Sequence, residues 1–297
     1  MVKEYFIIKL FKEGFFLLLL LHLLMLPSCN KSESDLIPTY IHVDSVQLVS
    51  NPEIAFMEGS LSHKITDVWV YVDEEFIGAF EVPVTFPVLK EGIHTLKIKP
   101  GVLVNGISTV RAEYPFYEAY TKDVNFVGDS VIVISPKVKY KDFTVFKWVE
   151  DFEDNNSSLI KSSRSDTSVV VTSDPIHVFE GNYSGIIHMD DLRFFFECLT
   201  SEAYELPRTG EAVYLEMNFK TNQSVTVGLF VNTYNERFQT PVVILNKTEE
   251  WKKIYINLIN AVNSNQFAVN YNVFLGAMKG EEVSNPEIII DNLKLIH

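Results

Sequence analysis

The sequence predicts an all-β protein built as two β-sandwich domains. Three observations carry that prediction. From about residue 38 onward, short runs rich in Val, Ile, Phe, Tyr and Thr recur, and Gly, Pro, Asn and Asp punctuate them at close intervals. No stretch of this region sustains a helical period. The runs also fall into two sets, on either side of Tyr140-Lys141-Asp142, a hinge with no Gly/Ser-rich linker, so the two domains are expected to lie in close contact.

The chain opens differently. Lys3, Lys9 and Lys12, partly offset by Glu4 and Glu13, precede Phe15–Leu26, an apolar run broken only by His22. A membrane-spanning helix needs about 20 apolar residues, so this run is too short to cross comfortably and reads instead as the core of a secretory signal. Leu26-Pro27-Ser28-Cys29 resembles the lipobox of bacterial lipoproteins, in which the cysteine is lipidated and becomes the first residue of the mature chain. The resemblance implies a signal peptide over residues 1–28, lipidation of Cys29 and a membrane partner reached through acyl chains. Several chains together hold firmly, each buried methylene contributing about 0.8 kcal/mol. Asn30 stands where an aspartate can mark inner-membrane retention, so the same resemblance implies the outer membrane. Residues 29–37 are then a polar, lipidated tether, whose acidic character loosely resembles signals for the cell surface.

Residues 1–28 contribute three of the 25 basic and two of the 39 acidic side chains, leaving 22 and 37 and a net charge of −15 on a mature chain of 269 residues. So acidic a chain is repelled by nucleic acid, which is excluded as a partner. With Cys29 taken by lipid, Cys198 is the one remaining thiol and no internal disulfide forms. It follows Phe194-Phe195-Phe196-Glu197 and is expected to be a buried core residue rather than a nucleophile.

The first domain is assigned to residues 38–140. In Val68-Trp69-Val70-Tyr71-Val72 the valines share one face, and Asp73-Glu74-Glu75 turns the chain into Phe76-Ile77-Gly78. Asn105-Gly106 is a hairpin signal, because both residues tolerate positive φ. Pro83, Pro87 and Pro100 predict edges or strand ends. Residues Val68–Gly101, with Asp73, the turn, Gly78 and Gly92-Ile93-His94-Thr95-Leu96, resemble the PEGA module and related immunoglobulin-like sandwiches. Glu74 stands where that pattern carries glycine. The resemblance implies a spacer or a wall-associated binding unit without catalysis, with His94 on a strand facing solvent.

The second domain is assigned to residues 146–297. Strands are expected at 168–172, 184–188, 212–220, 224–232, 241–245, 253–258, 269–275 and 287–296, a spacing that indicates a sandwich or jelly roll. Trp251 begins a strand whose Ile254, Ile256 and Leu258 face inward. The opening Val149-Glu150-Asp151-Phe152-Glu153-Asp154, the loop Gly181-Asn182-Tyr183-Ser184-Gly185, Trp251-Lys252-Lys253-Ile254 and the closing Ile288-Ile289-Ile290-Asp291-Asn292-Leu293 resemble jelly-roll carbohydrate-binding modules and galactose-binding-like domains. That resemblance implies first and last strands lying together, with a structural calcium held by Glu153 and Asp291; no cofactor is otherwise required. Calcium takes six to eight oxygens, and the 181–185 loop has carbonyls to offer.

No GxSxG, HExxH, GxxxxGK or CxxC motif is present, and the His188, Asp190, Asp191 cluster is split by strand alternation, so no catalytic residue is assigned and an enzyme is not expected. Ring faces pack on the apolar faces of sugars, and Tyr204, Tyr234 and Phe238 are the candidate rings. Tyr234 sits in Asn232-Thr233-Tyr234-Asn235-Glu236-Arg237, where amides, a carboxylate and the Arg237 guanidinium adjoin one ring. The sequence therefore reads as a lipid-anchored, non-catalytic envelope protein whose jelly roll captures extracellular glycan. The alternative is a structural or assembly lipoprotein that binds another envelope protein; a third reading is a hydrolase with a diverged site.

Overall fold

The computed structural model describes residues 37–297. The signal peptide, the lipobox with Cys29 and nearly all of the tether lie outside the described residues. Pro38–His297 form one compact unit. Almost every element in it is a strand, as expected, and among the described residues no helix is long and apolar enough to cross a membrane.

The first sandwich sets a five-stranded sheet against a three-stranded one. The larger sheet runs β4 (Glu75–Glu81), β3 (Asp67–Val72), β6 (Gly92–Leu103), β7 (Arg111–Glu113), with β8 (Tyr120–Phe126) also on β6. The smaller is β5 (Val84–Val88), β1 (Thr39–Val43), β9 (Val131–Ile134), and β2 (Gln47–Leu48) pairs with β10 (Lys137–Val138). Alternation fixes which face is buried: Val68, Val70 and Val72 face Ile41, Val43 and Phe86 in the core. Trp69 and Tyr71, on the other face, pack on Phe76.

Both expected turns form. Asp73 and Glu74 have φ of 51° and 64°, so Glu74 adopts, at a steric cost, the conformation that glycine takes freely. Asn105 and Gly106, at 56° and 69°, close the β6–β7 hairpin region. Pro87 lies on the edge strand β5, as expected. Pro100 does not: it sits within β6, between Ile98, the last residue paired to β8, and Gly101, the first paired to β7. Its missing N–H falls in the gap between two partners, which is why a central strand tolerates it. His94, on β6, is half-buried and bonds the Asp73 carboxylate at 2.6 Å.

The second sandwich packs a six-stranded sheet on a five-stranded one. The first comprises β13 (Val170–Thr172), β14 (Ser184–His188), β21 (Glu287–Ile296), β16 (Tyr214–Thr221) and β19 (Thr248–Asn257), with β11 (Phe146–Glu150) pairing to β21. The second is β12 (Leu159–Lys161), β15 (Phe195–Thr200), β20 (Asn270–Met278), β17 (Val225–Asn232) and β18 (Arg237–Leu245). First and last strands do lie together, antiparallel, from Phe146↔Ile296 to Glu150↔Leu293. Inward residues of both sheets form one core, including Ile254, Ile256, Leu258 and Cys198. Burial pushes the Cys198 thiol up to about 12, so it is inert at neutral pH. Trp251 is half-buried and packs on Phe179, with ring centroids 5.2 Å apart. One short helix in each half, α1 (Ala55–Glu58) and α2 (Ile259–Asn263), completes the structure.

The two sandwiches meet through the outer face of the six-stranded sheet. Tyr114, Tyr117 and Tyr140 from the first pack on Tyr214 and Tyr255 from the second, and Asn105 N–H donates to the Tyr255 carbonyl at 2.9 Å. Glu216, with no exposed surface, accepts from the Tyr114 hydroxyl at 2.7 Å and from Tyr140 at 3.0 Å, and pairs with Lys253 at 3.0 Å. Burial alone would raise the Glu216 carboxyl, but Lys253, Lys294 and the Tyr114 hydroxyl hold it below its ordinary value.

Candidate functional site

With that face covered, the outer face of the five-stranded sheet is the open one. Along β15 alternation turns Phe196 and Cys198 into the core and Phe195, Glu197 and Leu199 outward. Leu199, Phe230 and Phe274 form a small apolar cluster separate from the main cores. Arg237 sits over Phe230 and Arg164 over Phe195, each guanidinium carbon 5.7 Å from the ring centroid.

Glu197 organises the polar part. Its carboxylate accepts from Arg164 Nη2 at 2.6 Å and from Gln239 Nε2 at 2.5 Å. Glu197 is on β15 and Gln239 on β18, with β20 and β17 between them. Strands lie about 4.8 Å apart, so the bond spans roughly 14 Å of sheet, which two side chains close only if this face curls inward. Glycines help to clear the floor: Gly276 is the cross-strand partner of Glu197, and at Gly228 a Cβ would meet the Thr240 carbonyl oxygen at 2.3 Å. Further along, Arg237 Nε donates to Asn232 Oδ1 at 2.6 Å, and Asn232 Nδ2 donates to Asn270 and Asn272 at 2.8 and 2.9 Å. The result is a cleft of about 510 Å³ lined by Lys161, Arg164, Glu197, Phe230, Arg237 and Gln239 among others. It offers apolar ring surface beside fixed donors and acceptors, the mixture that hydroxyl-rich ligands require.

The residues expected from sequence divide among three places. Arg237 and Phe238 line this cleft. Tyr234 lies beyond it, 91% exposed on the β17–β18 loop, in a second cleft of about 460 Å³ shared with Phe238 and the 83% exposed Phe267. Tyr204 lines neither; it is half-buried against the core and bridges to Tyr271 through backbone bonds of 2.7 and 2.9 Å. Arg164, Glu197, Gln239 and Phe230 were not singled out by the sequence. Glu197 had a signal, since strict alternation through Phe196-Glu197-Cys198 places it opposite a buried thiol. Arg164 and Gln239 had none, because only tertiary pairing brings them to Glu197.

Glu153 and Asp291, the expected calcium ligands, are both hydrogen-bonded. Glu153 accepts from the backbone N–H groups of Asn182 and Tyr183 at 2.8 and 3.0 Å and from Asn182 Nδ2 at 2.9 Å. Partial burial would raise it, but these donors hold it below its ordinary value. Gly181 passes close by with φ of 71°, and a Cβ there would strike the Glu153 carboxylate. Asp291 is buried and accepts from Ser184 Oγ and Asn292 N–H, both at 2.7 Å. Both carboxylates thus accept N–H or O–H donors in this structure. Among the described residues no group of three or more His, Cys, Asp or Glu side chains is arranged to hold a metal ion.

No protein-family model matches the chain, and no curated protein matches it. Among solved structures it is similar to a family 61 carbohydrate-binding module in complex with β-1,4-galactotriose, at 18% identity, covering 49% of this chain and 92% of that one with a TM-score of 0.33. It is similar to the family 22 xylan-binding domain of Paenibacillus barcinonensis Xyn10C at 15% identity, over 50% of this chain and 97% of that one, TM-score 0.38. The K3 cleaved adhesin domain of Lys-gingipain from Porphyromonas gingivalis is 11% identical over 52% of this chain and 98% of that one, TM-score 0.37.

Proposed function

We propose that this chain is a non-catalytic glycan-binding protein of the bacterial outer membrane, anchored through lipid on Cys29, and that it holds its ligand on the open face of the five-stranded sheet. The observation that supports this most is the Arg164–Glu197–Gln239 bridge across a curled, glycine-cleared floor flanked by Phe195 and Phe230. Donors and acceptors fixed in advance beside ring surface suit a ligand that presents both hydroxyls and apolar faces, because little ordering entropy remains to be lost on binding. The first sandwich acts as a stand-off that carries this face away from the bilayer.

The test is glycan-array binding by the detergent-solubilised chain. Arg164→Ala and Gln239→Ala should each weaken capture about tenfold, the equivalent of ~1.4 kcal/mol, measured below the melting temperature of each variant, which falls because buried Glu197 loses a donor. Absence of any glycan ligand, or full binding by both variants, overturns the reading. For the anchor, Cys29→Ser should release the chain from the membrane fraction; acyl-labelled, membrane-bound variant would refute it.

A second reading, a protein partner in the envelope, draws on the edge strand β9, where Val131 and Val133 are exposed beside Tyr40 of β1. An unpaired edge with apolar side chains can accept a strand from another chain. Val133→Lys should abolish such a complex and leave glycan capture intact; co-purification of the same partner with the variant counts against it.

A further inference from the structure

We infer that the ligand of the open face is an anionic glycan, one bearing uronate or sulfate groups. The inference rests on the glycan-binding reading and deepens it. Its ground is the charge lining the cleft: Lys161, Arg164 and Arg237 supply three cations, and Glu197 is the one carboxylate among the lining residues. Glu197 is already engaged, held by Arg164 at 2.6 Å with its side chain almost wholly buried. Arg237 is held by neutral acceptors only, Asn232 Oδ1 at 2.6 Å and Asn272 Oδ1 at 3.5 Å. Lys161 has no ion-pair partner among the described residues.

Cations elsewhere on the molecule show the other arrangement, direct neutralisation. Most cations on the outer surface of the first sandwich are matched: Lys90, Lys97, Lys99, Arg111 and Lys139 each lie within 4.0 Å of a carboxylate. A chain with a net charge of −14 has carboxylates to spare, yet Arg237 is positioned by amides instead. Amide acceptors orient a guanidinium without neutralising it, so its charge stays available to a ligand. Its planar fork suits a carboxylate or sulfate, which it can engage with two parallel N–H bonds. The ring of Phe230 beneath it stabilises the same orientation.

The acidity of the whole chain does not oppose this. At physiological ionic strength the screening length is about 8 Å, so distant carboxylates act weakly on a ligand seated in the cleft, whereas the lining cations act at contact. Neutral sugars gain nothing from an uncompensated cation and leave it as it was. An anionic glycan gains one or two charge-assisted hydrogen bonds, which are about twice as strong as neutral ones.

The experiment compares four probes on the detergent-solubilised chain by calorimetry: polygalacturonate, the same polymer with its carboxyls methyl-esterified, heparin, and neutral xylan. Polygalacturonate or heparin should bind at least tenfold more tightly than xylan, esterification should remove the advantage of the uronate polymer, and raising salt from 0.05 to 0.5 M should weaken binding of the anionic probe. Arg237→Gln should cost about tenfold on the anionic probe while the melting temperature holds, and Arg237→Lys should recover part of it. If xylan binds as tightly as the anionic probes and Arg237→Gln changes nothing, the inference falls and the glycan-binding reading stands. If none of the four binds and the array is also silent, both fall.

Discussion

The two outer faces of the second sandwich are written in similar residues and meet opposite fates. On the six-stranded sheet the outward rows carry Tyr214 and Glu216, Lys253 and Tyr255, and Lys294. On the five-stranded sheet they carry Phe195 and Glu197, Phe230, Arg237 and Gln239. Both mix rings with charge. The first face lies under Tyr114, Tyr117 and Tyr140 of the neighbouring sandwich, so every charge on it must find a partner: Glu216 takes Lys253 and two tyrosine hydroxyls, and Lys294 Nζ donates to the Ser60 carbonyl and the Tyr140 hydroxyl. Burial still pushes Lys294 down to about 8. The second face remains in water, where a cation such as Arg237 persists without a counter-charge. Burial decides whether a polar-aromatic row becomes glue or stays an open, hydrated face.

The strongest way to break this comparison is to remove the glutamate from each face. Glu216→Ala leaves Lys253 and Lys294 close together in a dry interface without the carboxylate that pairs with Lys253, and should cost about 3–5 kcal/mol in urea unfolding, because an unpaired buried charge bears its full desolvation penalty. Glu197→Ala frees Arg164, whose side chain is 62% exposed and can rehydrate, so the cost should be about 1–2 kcal/mol. Equal losses at the two positions would show that the faces do not differ as described.

A smaller effect comes from Asp291, beside the covered face. Burial pushes its carboxyl up to about 7, far above the ordinary 3.8. A folded-state value above the unfolded one means that between pH 4 and 7 the folded chain keeps a proton the unfolded chain has released. Stability therefore falls as pH rises through that window and levels off above it. Three units correspond to at most ~4 kcal/mol, and about 2 kcal/mol is expected once water relaxes around the site. The difference between wild type and Asp291→Asn should carry this slope, with chelator present or absent. A slope that emerges only with chelator would place a cation on Asp291, which would hold the carboxylate ionised.

Much of the fold was legible in the residues. Glu287–Ile296 and Ser184–His188 occur with the expected bounds, because their short apolar cores, Ile288–Ile290 and Ile186–Ile187, are bounded by polar and turn residues that leave few alternatives. Phe195–Thr200 and Leu159–Lys161 were not among the expected strands: the first follows charged Asp190, Asp191 and Arg193, and the second is three residues long. The covered face was illegible for a different reason. Glu216 and Lys253 alternate with apolar residues, the pattern of a solvated face, and nothing local says that another sandwich will sit on it. The candidate cleft was half legible: Arg237 and Phe238, read from sequence together with Tyr234, line it, while the Glu197 bridge depends on contacts 33 and 42 residues apart in sequence.

The smallest effect sharpens the comparison at the rim of the open face. Tyr234 is 91% exposed, and its loop is held by Thr233 rather than by the ring: Thr233 Oγ1 accepts from Asn235 and Glu236 N–H groups at 3.3 and 3.1 Å and donates to the Glu236 carbonyl at 3.0 Å. Truncating a ring that buries almost nothing removes almost no apolar contact, so Tyr234→Ala should change stability by less than about 0.5 kcal/mol. Tyr271, with its ring in the core and its hydroxyl on the Val262 carbonyl at 3.1 Å, provides the contrast; its alanine variant should cost about 3–5 kcal/mol. The binding readout then locates the ligand. If the glycan is confined to the Glu197 cleft, Tyr234→Ala leaves affinity intact; if it extends past Phe238 toward Phe267, the variant loses affinity for long chains and keeps it for short ones. A loss of stability above 1 kcal/mol would show that the Tyr234 ring is packed in solution, and would remove it from the ligand's path.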